Sequence, residues 1–424
     1  MSQMLEQQLK ASGVAQVIVV LKQTAATSAP ELEKSLAGHF CLSERSLPGA
    51  LAAAASLRAG GGRGAAPAPA KAMRLYPNLG VMLGIVDAQG LSALRKEKGK
   101  VAEVRSAPVF RLIRPKKKSA AAVLTKMGWG IKALGIDQLW KKGLSGKGIL
   151  VGHLDTGVDG KHPAFAAHKD FPTKAIAHWM FFDDFGNEST SHLFPIDTDD
   201  HGTHTAATIA ARPIKHGASW LRVGVAPGAL LASAAVIEGG DAVARVLGGI
   251  DWAMSKRVRV LSMSLGFPGY VDDFEFITQA LRQQDILPVF AVGNEGPGTS
   301  RSPGNYADAL SVGAVDKNEL VADFSSSQRF LRQADPIVPD IVAPGVDIVS
   351  AVPKKGFLTM SGTSMATPHI AGLAALLFEA KPGAKAAEVE NAIFKSCKRP
   401  SGMQEERGNR GIPNAARALE ILLR

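Results

Sequence analysis

From Gly148 onward the chain alternates short apolar, β-branched runs with longer helical stretches, a pattern that confines it to buried parallel strands joined by crossover helices. The strand candidates are GILVGHLDTG, AIAHWMFFDD, LLASAAVIE, VRVLSMSLG, LPVFAVGN and ALSVGAVD. Between and after them lie helix candidates HGTHTAATIAAR, GDAVARVLGGIDWAMSKR, DFEFITQALRQQ, SMATPHIAGLAALLFEAK, AAEVENAIFKSC and PNAARALEILLR. The expected fold is α/β, a doubly wound and mostly parallel sheet, and such sheets place ligands outside the carboxyl ends of their strands.

The first 115 residues read differently. QVIVVLK (16–22) is a strand, PELEKSLAG (30–38) a short helix ending at glycine, LGVMLGIVD (79–87) a strand, AQGLSALRKEKG (88–99) a helix, and VAEVRSAPVFRLIRP one or two strands. Residues 1–115 are therefore expected to form a small α+β domain, interrupted at about 47–71 by an Ala/Gly/Pro insertion with little to bury. Residues 116–128 read as a linker and 129–424 as the larger domain.

Charge divides the chain in the same place. Lysine and arginine number 49 against 38 acidic residues, a net +11, yet residues 1–127 carry 19 basic and 7 acidic groups, so the whole excess is N-terminal. Nucleic acid is not expected as a main partner, because the aromatics of that segment (Phe40, Tyr76, Phe110) are too scattered for a stacking platform. The longest apolar runs, Ile370–Phe378 and Val17–Leu21, fall short of the ~20 residues that span a bilayer, so no membrane span is expected. With no clear secretory signal in MSQMLEQQLK or the short VAQVIVVLK, the default expectation is a cytoplasmic protein, and a monomer. Two cysteines, Cys41 and Cys397, make no disulfide framework.

Three polar clusters stand where a doubly wound sheet puts its chemistry. Asp155 ends an apolar strand in LDTG, His201 opens a helix in DDHGTHTA, and Ser364 lies between a short strand and a helix in SGTSMATPH. A serine hydroxyl is a weak nucleophile at neutral pH and needs a base within hydrogen-bond reach, itself oriented by a carboxylate. Asp, His and Ser supply those three roles. In AVGNEG, Asn294 ends another strand, where its amide can donate to the oxyanion of a tetrahedral intermediate. The Ser364 backbone N–H, in a first helical turn, is the natural second donor. Each residue alone has a plainer reading as a cap or turn residue; it is their combination that carries chemistry.

Together DTGVDGKHP, HGTHTAATIA, GNEG and GTSMATPHIAG, in the order Asp, His, Asn, Ser, resemble the subtilisin-like serine proteases, the subtilases, over about residues 129–424. The resemblance implies a serine endopeptidase of broad specificity acting through an acyl-enzyme, with Asp155 orienting, His201 as base and then acid, Ser364 as nucleophile and Asn294 in the oxyanion hole. It implies that Ser264, Leu265 and Gly266 form an edge strand on which a polypeptide substrate adds in extended form. It also implies that the N-terminal domain is an inhibitory, chaperone-like propeptide, making the protein a zymogen cleaved at about 115–128.

No cofactor is needed for that chemistry. His201 and His204 lie three apart on one helix but lack the glutamate of a zinc-binding HExxH, and His204 and His369 read as buried structural histidines. Asp183, Asp184, Asp197, Asp199 and Asp200 form an acidic neighbourhood in which structural calcium is conceivable but not placeable; such runs are more often solvated loop faces. Ser302–Pro303 and Ala343–Pro344 are turn signals, with trans as the default isomer. The rival reading is a protease-fold binding protein that no longer cuts, held shut by an uncleaved N-terminal domain.

Overall fold

In the computed structural model all residues are described except 1–2, 23–27, 42–72, 119–125, 184–185, 190, 218, 238–241 and 331–334. The Ala/Gly/Pro insertion at 47–71 lies outside the described residues. The larger part is built on an eight-stranded sheet ordered 341–344, 310–315, 287–291, 260–263, 150–155, 230–235, 176–182 and 188–189. Each neighbouring pair is parallel except the last, where Glu188–Ser189 returns antiparallel on Ile176–Phe182. All six strands read from the sequence are in it. Ile341–Pro344, read only as a turn signal, is a seventh parallel strand, its Ala343 paired with Ala314.

Burial on both faces explains the unbroken apolar runs. Val151, Leu231, Val260, Leu287 and Val289 pack with helices His201–Ala210 and Thr363–Ala380 on one side, and Leu154, Ala232, Ala234, Leu261 and Phe290 pack with helix Ala242–Ser255 on the other. Helix Thr363–Ala380 is buried from Thr363 through Phe378, which accounts for its run of Ala, Leu and Ile without a polar stripe. Ser302–Pro303 and Val338–Pro339 are cis, so the trans default fails at Ser302–Pro303.

Strands 73–76, 81–87, 14–21 and 101–106, in that order, form a separate antiparallel sheet. Its strands alternate. Val17, Val19 and Leu21 face their own helices, which contribute Leu5, Leu32, Leu36, Leu91 and Leu94, whereas Ile18 joins the cluster around Ala242–Ser255. The second face of this sheet is thus buried against the larger part. The seam is also polar: Tyr76 Oη donates to Ala244 O at 3.0 Å, and the Asp251 carboxylate accepts from the N–H groups of Asn78 (2.7 Å) and Leu79 (3.0 Å).

Candidate active site

Strand and helix ends gather the four polar residues on one rim. Asp155 closes strand Leu150–Asp155, His201 is the first residue of its helix, Asn294 follows strand Leu287–Ala291, and Ser364 is the second residue of helix Thr363–Ala380. Glycine permits this closeness. A Cβ on Gly202 would lie 2.0 Å from the carbonyl oxygen of Gly157, so the loop after Asp155 and the helix beginning at His201 touch backbone to backbone. Thr156 Oγ1 accepts from the Gly202 N–H at 2.9 Å and donates to Asp197 at 2.7 Å, while the second Asp197 oxygen accepts from the Thr203 N–H and hydroxyl, both at 2.6 Å. One half-buried carboxylate therefore ties the Asp155 loop to the His201 helix, and its desolvation raises its pKa to about 6.

His201 Nδ1 lies 2.7 Å from Asp155 Oδ1, and both side chains are fully buried. The same carboxylate accepts from the Thr156 N–H at 2.7 Å, and Thr205 Oγ1 stands 3.2 Å from its other oxygen. Burial opposes charge on both partners. Against it, the imidazole and its hydrogen bond hold the Asp155 carboxyl below its usual value, and the Asp155 charge, with Asp197 and Asp199, lifts His201 above the ordinary histidine range. His153, linked to Ser233 Oγ and Thr205 Oγ1 at 2.9 Å each, is kept neutral by burial, with a pKa of about 4. His201 Nε2 is buried and has no hydrogen-bond partner among the described residues.

Asn294 is fixed by its own amide. Its Oδ1 accepts from the Thr363 N–H and Thr363 Oγ1, both at 2.9 Å, which ties it to the helix start and turns Nδ2 into the cleft. Pro368 has no N–H for the Ser364 carbonyl one turn earlier, and Ser264 Oγ donates to that carbonyl at 3.4 Å.

The cleft holds part of the chain itself. Arg111 and Leu112 pair antiparallel with Gly266 and Leu265, and the Ile113 N–H donates to Ser264 O at 3.2 Å. Ser364 Oγ donates to Ile113 O at 2.8 Å, whereas Asn294 Nδ2 donates to Arg114 O at 3.0 Å. Pro115 follows, 3.2 Å from where a Gly362 side chain would begin. Beyond it Lys116 and Lys117 pair with Ser361 and Met360, and the Lys118 N–H donates to Thr359 O. The first residues of the expected linker are thus a strand across the cleft. The structure brings Asp155 to His201, and Asn294 to the start of the Ser364 helix. It directs the Ser364 hydroxyl to the crossing peptide instead of to His201.

Comparison with known proteins identifies the family. Residues 146–414, more than half of the chain and inclusive of all four polar residues, match the Subtilase family. The chain belongs to the subtilase family. Relatives include the major intracellular serine protease of Bacillus subtilis, 34% identical over 256 residues covering 58% of this chain and 74% of the relative. Subtilisin Savinase of Lederbergia lenta is 34% identical over 267 residues, 62% of this chain and 89% of the relative, and the intracellular serine protease of Paenibacillus polymyxa is 38% identical over 256 residues, 58% and 72%. This subtilase is accordingly a subtilisin-like serine endopeptidase on a doubly wound α/β fold, acting on polypeptides.

Among the described residues no group of three or more His, Cys, Asp or Glu side chains is arranged to hold a metal ion, and no helix is long and apolar enough to cross a membrane. The acidic neighbourhood is occupied otherwise. Asp183 accepts from Asn187, Asp197 serves the two threonines, and Asp199 and Asp200 pair with Lys117; Asp184 lies outside the described residues. His204 is half satisfied: Nε2 reaches Ile348 O at 3.1 Å, but Nδ1 is buried without a partner among the described residues. Sequence reading missed Thr156 and Thr205 and placed Asp197 only in the acidic neighbourhood, though each lies in or near one of the polar motifs. It also missed the path of 111–118, whose only signal was RLIRPKKK.

Proposed function

We propose that Asp155, His201, Ser364 and Asn294 perform the hydrolysis. Ser364 Oγ attacks the carbonyl carbon while His201 Nε2 takes its proton; Asp155 keeps the other proton on Nδ1 and offsets the imidazolium charge. Asn294 Nδ2 and the Ser364 N–H receive the oxyanion. Collapse expels the amine, protonated by His201, and leaves an ester on Ser364 that water cleaves by the reverse route. The observation that carries this reading is the buried 2.7 Å contact of His201 with Asp155, with Nε2 left open to a proton. Ser264, Leu265 and Gly266 would bind the residues before the cut bond by main-chain pairing, which supports broad specificity, with an apolar residue such as Ile113 nearest the bond.

We further propose that residues 1–115 are a propeptide and the chain a zymogen. In support, a scissile carbonyl needs Ser364 and Asn294 together, whereas here they hold the successive carbonyls of Ile113 and Arg114. Processing would fall within about 115–128, free the catalytic part from 129 onward, and leave a monomer that needs no metal for its chemistry. The names of two relatives, both intracellular serine proteases, support action in the cytoplasm. Incubating the full chain and its Ser364→Ala variant with casein tests the reading. Hydrolysis and a new N-terminus in that window should appear only with Ser364 intact, and equal hydrolysis by the variant would refute the assignment.

A further inference from the structure

Three consecutive lysines of the crossing strand meet three separate complements. Lys116 Nζ stands 5.6 Å over the Phe324 ring. Lys117 Nζ reaches Asp199 Oδ1 at 3.0 Å and also pairs with Asp200, and Lys118 Nζ reaches Asp347 Oδ2 at 2.6 Å. The acids are built into the wall of the cleft. The Asp347 N–H donates to Ser361 Oγ at 2.9 Å, and Ser361 is the residue that pairs with Lys116; Asp199 and Asp200 lead directly into His201. The same wall therefore sets both the main-chain register and the position of its carboxylates.

We propose that Asp199, Asp200 and Asp347 make this protease select substrates with lysine or arginine beyond the cut bond, at the positions facing Met360 and Thr359, the fourth and fifth residues after the cut. The inference rests on the active-site reading above. A peptide held by antiparallel pairing through the cleft lies as a substrate must, so the side chains it places against the wall report what the wall accepts. Once residues 111–118 leave, Asp199 and Asp200 stand adjacent with like charge and without the Lys117 cation. A basic substrate restores the pairing, while an acidic one adds repulsion. Lys117 is held above its usual pKa: partial burial opposes its charge, and its bonds to Asp200 and Asp199 outweigh that opposition.

Two peptides identical except for Lys-Lys or Glu-Glu at the fourth and fifth positions after the cut, incubated with the full-length protein, provide the test. At low salt kcat/KM should favour Lys-Lys by about tenfold, and the ratio should shrink towards unity in 1 M NaCl or in Asp200→Asn/Asp347→Asn. A ratio of one at low salt, or one untouched by both changes, overturns the proposal. A second measurement needs no activity. In full-length Ser364→Ala, adding Lys117→Glu/Lys118→Glu should speed hydrogen exchange at the amides of residues 116–118 by about tenfold, and Asp200→Lys/Asp347→Lys should reverse that; unchanged exchange also overturns it. If neither peptide is cut at all, the proteolytic reading fails, and the exchange result still decides whether the rim holds basic side chains.

Discussion

At the scale of single residues, the proposed mechanism makes protonation of His201 govern the rate. Only the neutral imidazole can accept the Ser364 proton, and the Asp155 charge raises the His201 pKa above its ordinary value near 6.5 despite burial. Activity should therefore rise with pH through a midpoint above 6.5, read as the acid limb of log kcat/KM. Asp155→Asn removes the raising charge, so the midpoint should fall as the overall rate falls. An acid limb that stays put in that variant would dissociate it from the Asp155–His201 pair. Asn294→Ala should lower kcat by about 10²–10³ with little change in KM, a magnitude borrowed from the corresponding donor of subtilisin.

At the scale of elements, the site depends on two segments meeting without side chains between them. Gly202→Ala would drive a methyl into the Gly157 carbonyl, parting the His201 helix from the Asp155 loop. A displacement of about 1 Å is enough to cost roughly 10²-fold in kcat/KM, whereas the far end of the helix has no reason to unfold. Circular dichroism close to the parent with activity down by that factor is the expected result. The four polar residues of the proposed site were legible in DTG, HGTH, GNEG and GTSMA, because chemistry at strand ends demands particular residue types, whereas the close approach of Gly202 to Gly157 was not. Strand Ile341–Pro344 was not, since its run is short and ends on a proline that reads as a turn; tertiary pairing with Leu310–Val315 overrides that local signal. Lys116 and Lys117 likewise look like a solvated charge run, and become a strand only because Ser361 and Met360 offer an open edge.

At the scale of the whole molecule, the N-terminal sheet and the catalytic sheet share one buried seam. The proposed propeptide has two apolar faces and only one set of helices of its own, so the other face needs Ala242–Ser255. Asp251 is the polar clasp of that seam, accepting from Asn78 and Leu79. In Ser364→Ala protein, Asp251→Ala should loosen the seam and speed exchange at the amides of 78–87 several-fold, leaving strand Leu150–Asp155 protected. The basic excess visible in the sequence takes physical form here as discrete pairs, Arg105 with Asp273 and Lys117 with Asp199 among them. Sequence composition showed the sign of that charge but not its targets, which lie far apart along the chain and meet only after folding.

The central claim is that His201, set by Asp155, activates Ser364. Fluorophosphonate labelling of the protein after incubation, read by peptide mass spectrometry, tests it most directly. Label should sit on Ser364 alone, and His201→Ala should reduce it to background. Label on a different serine, or labelling of Ser364 that proceeds equally without His201, would contradict it.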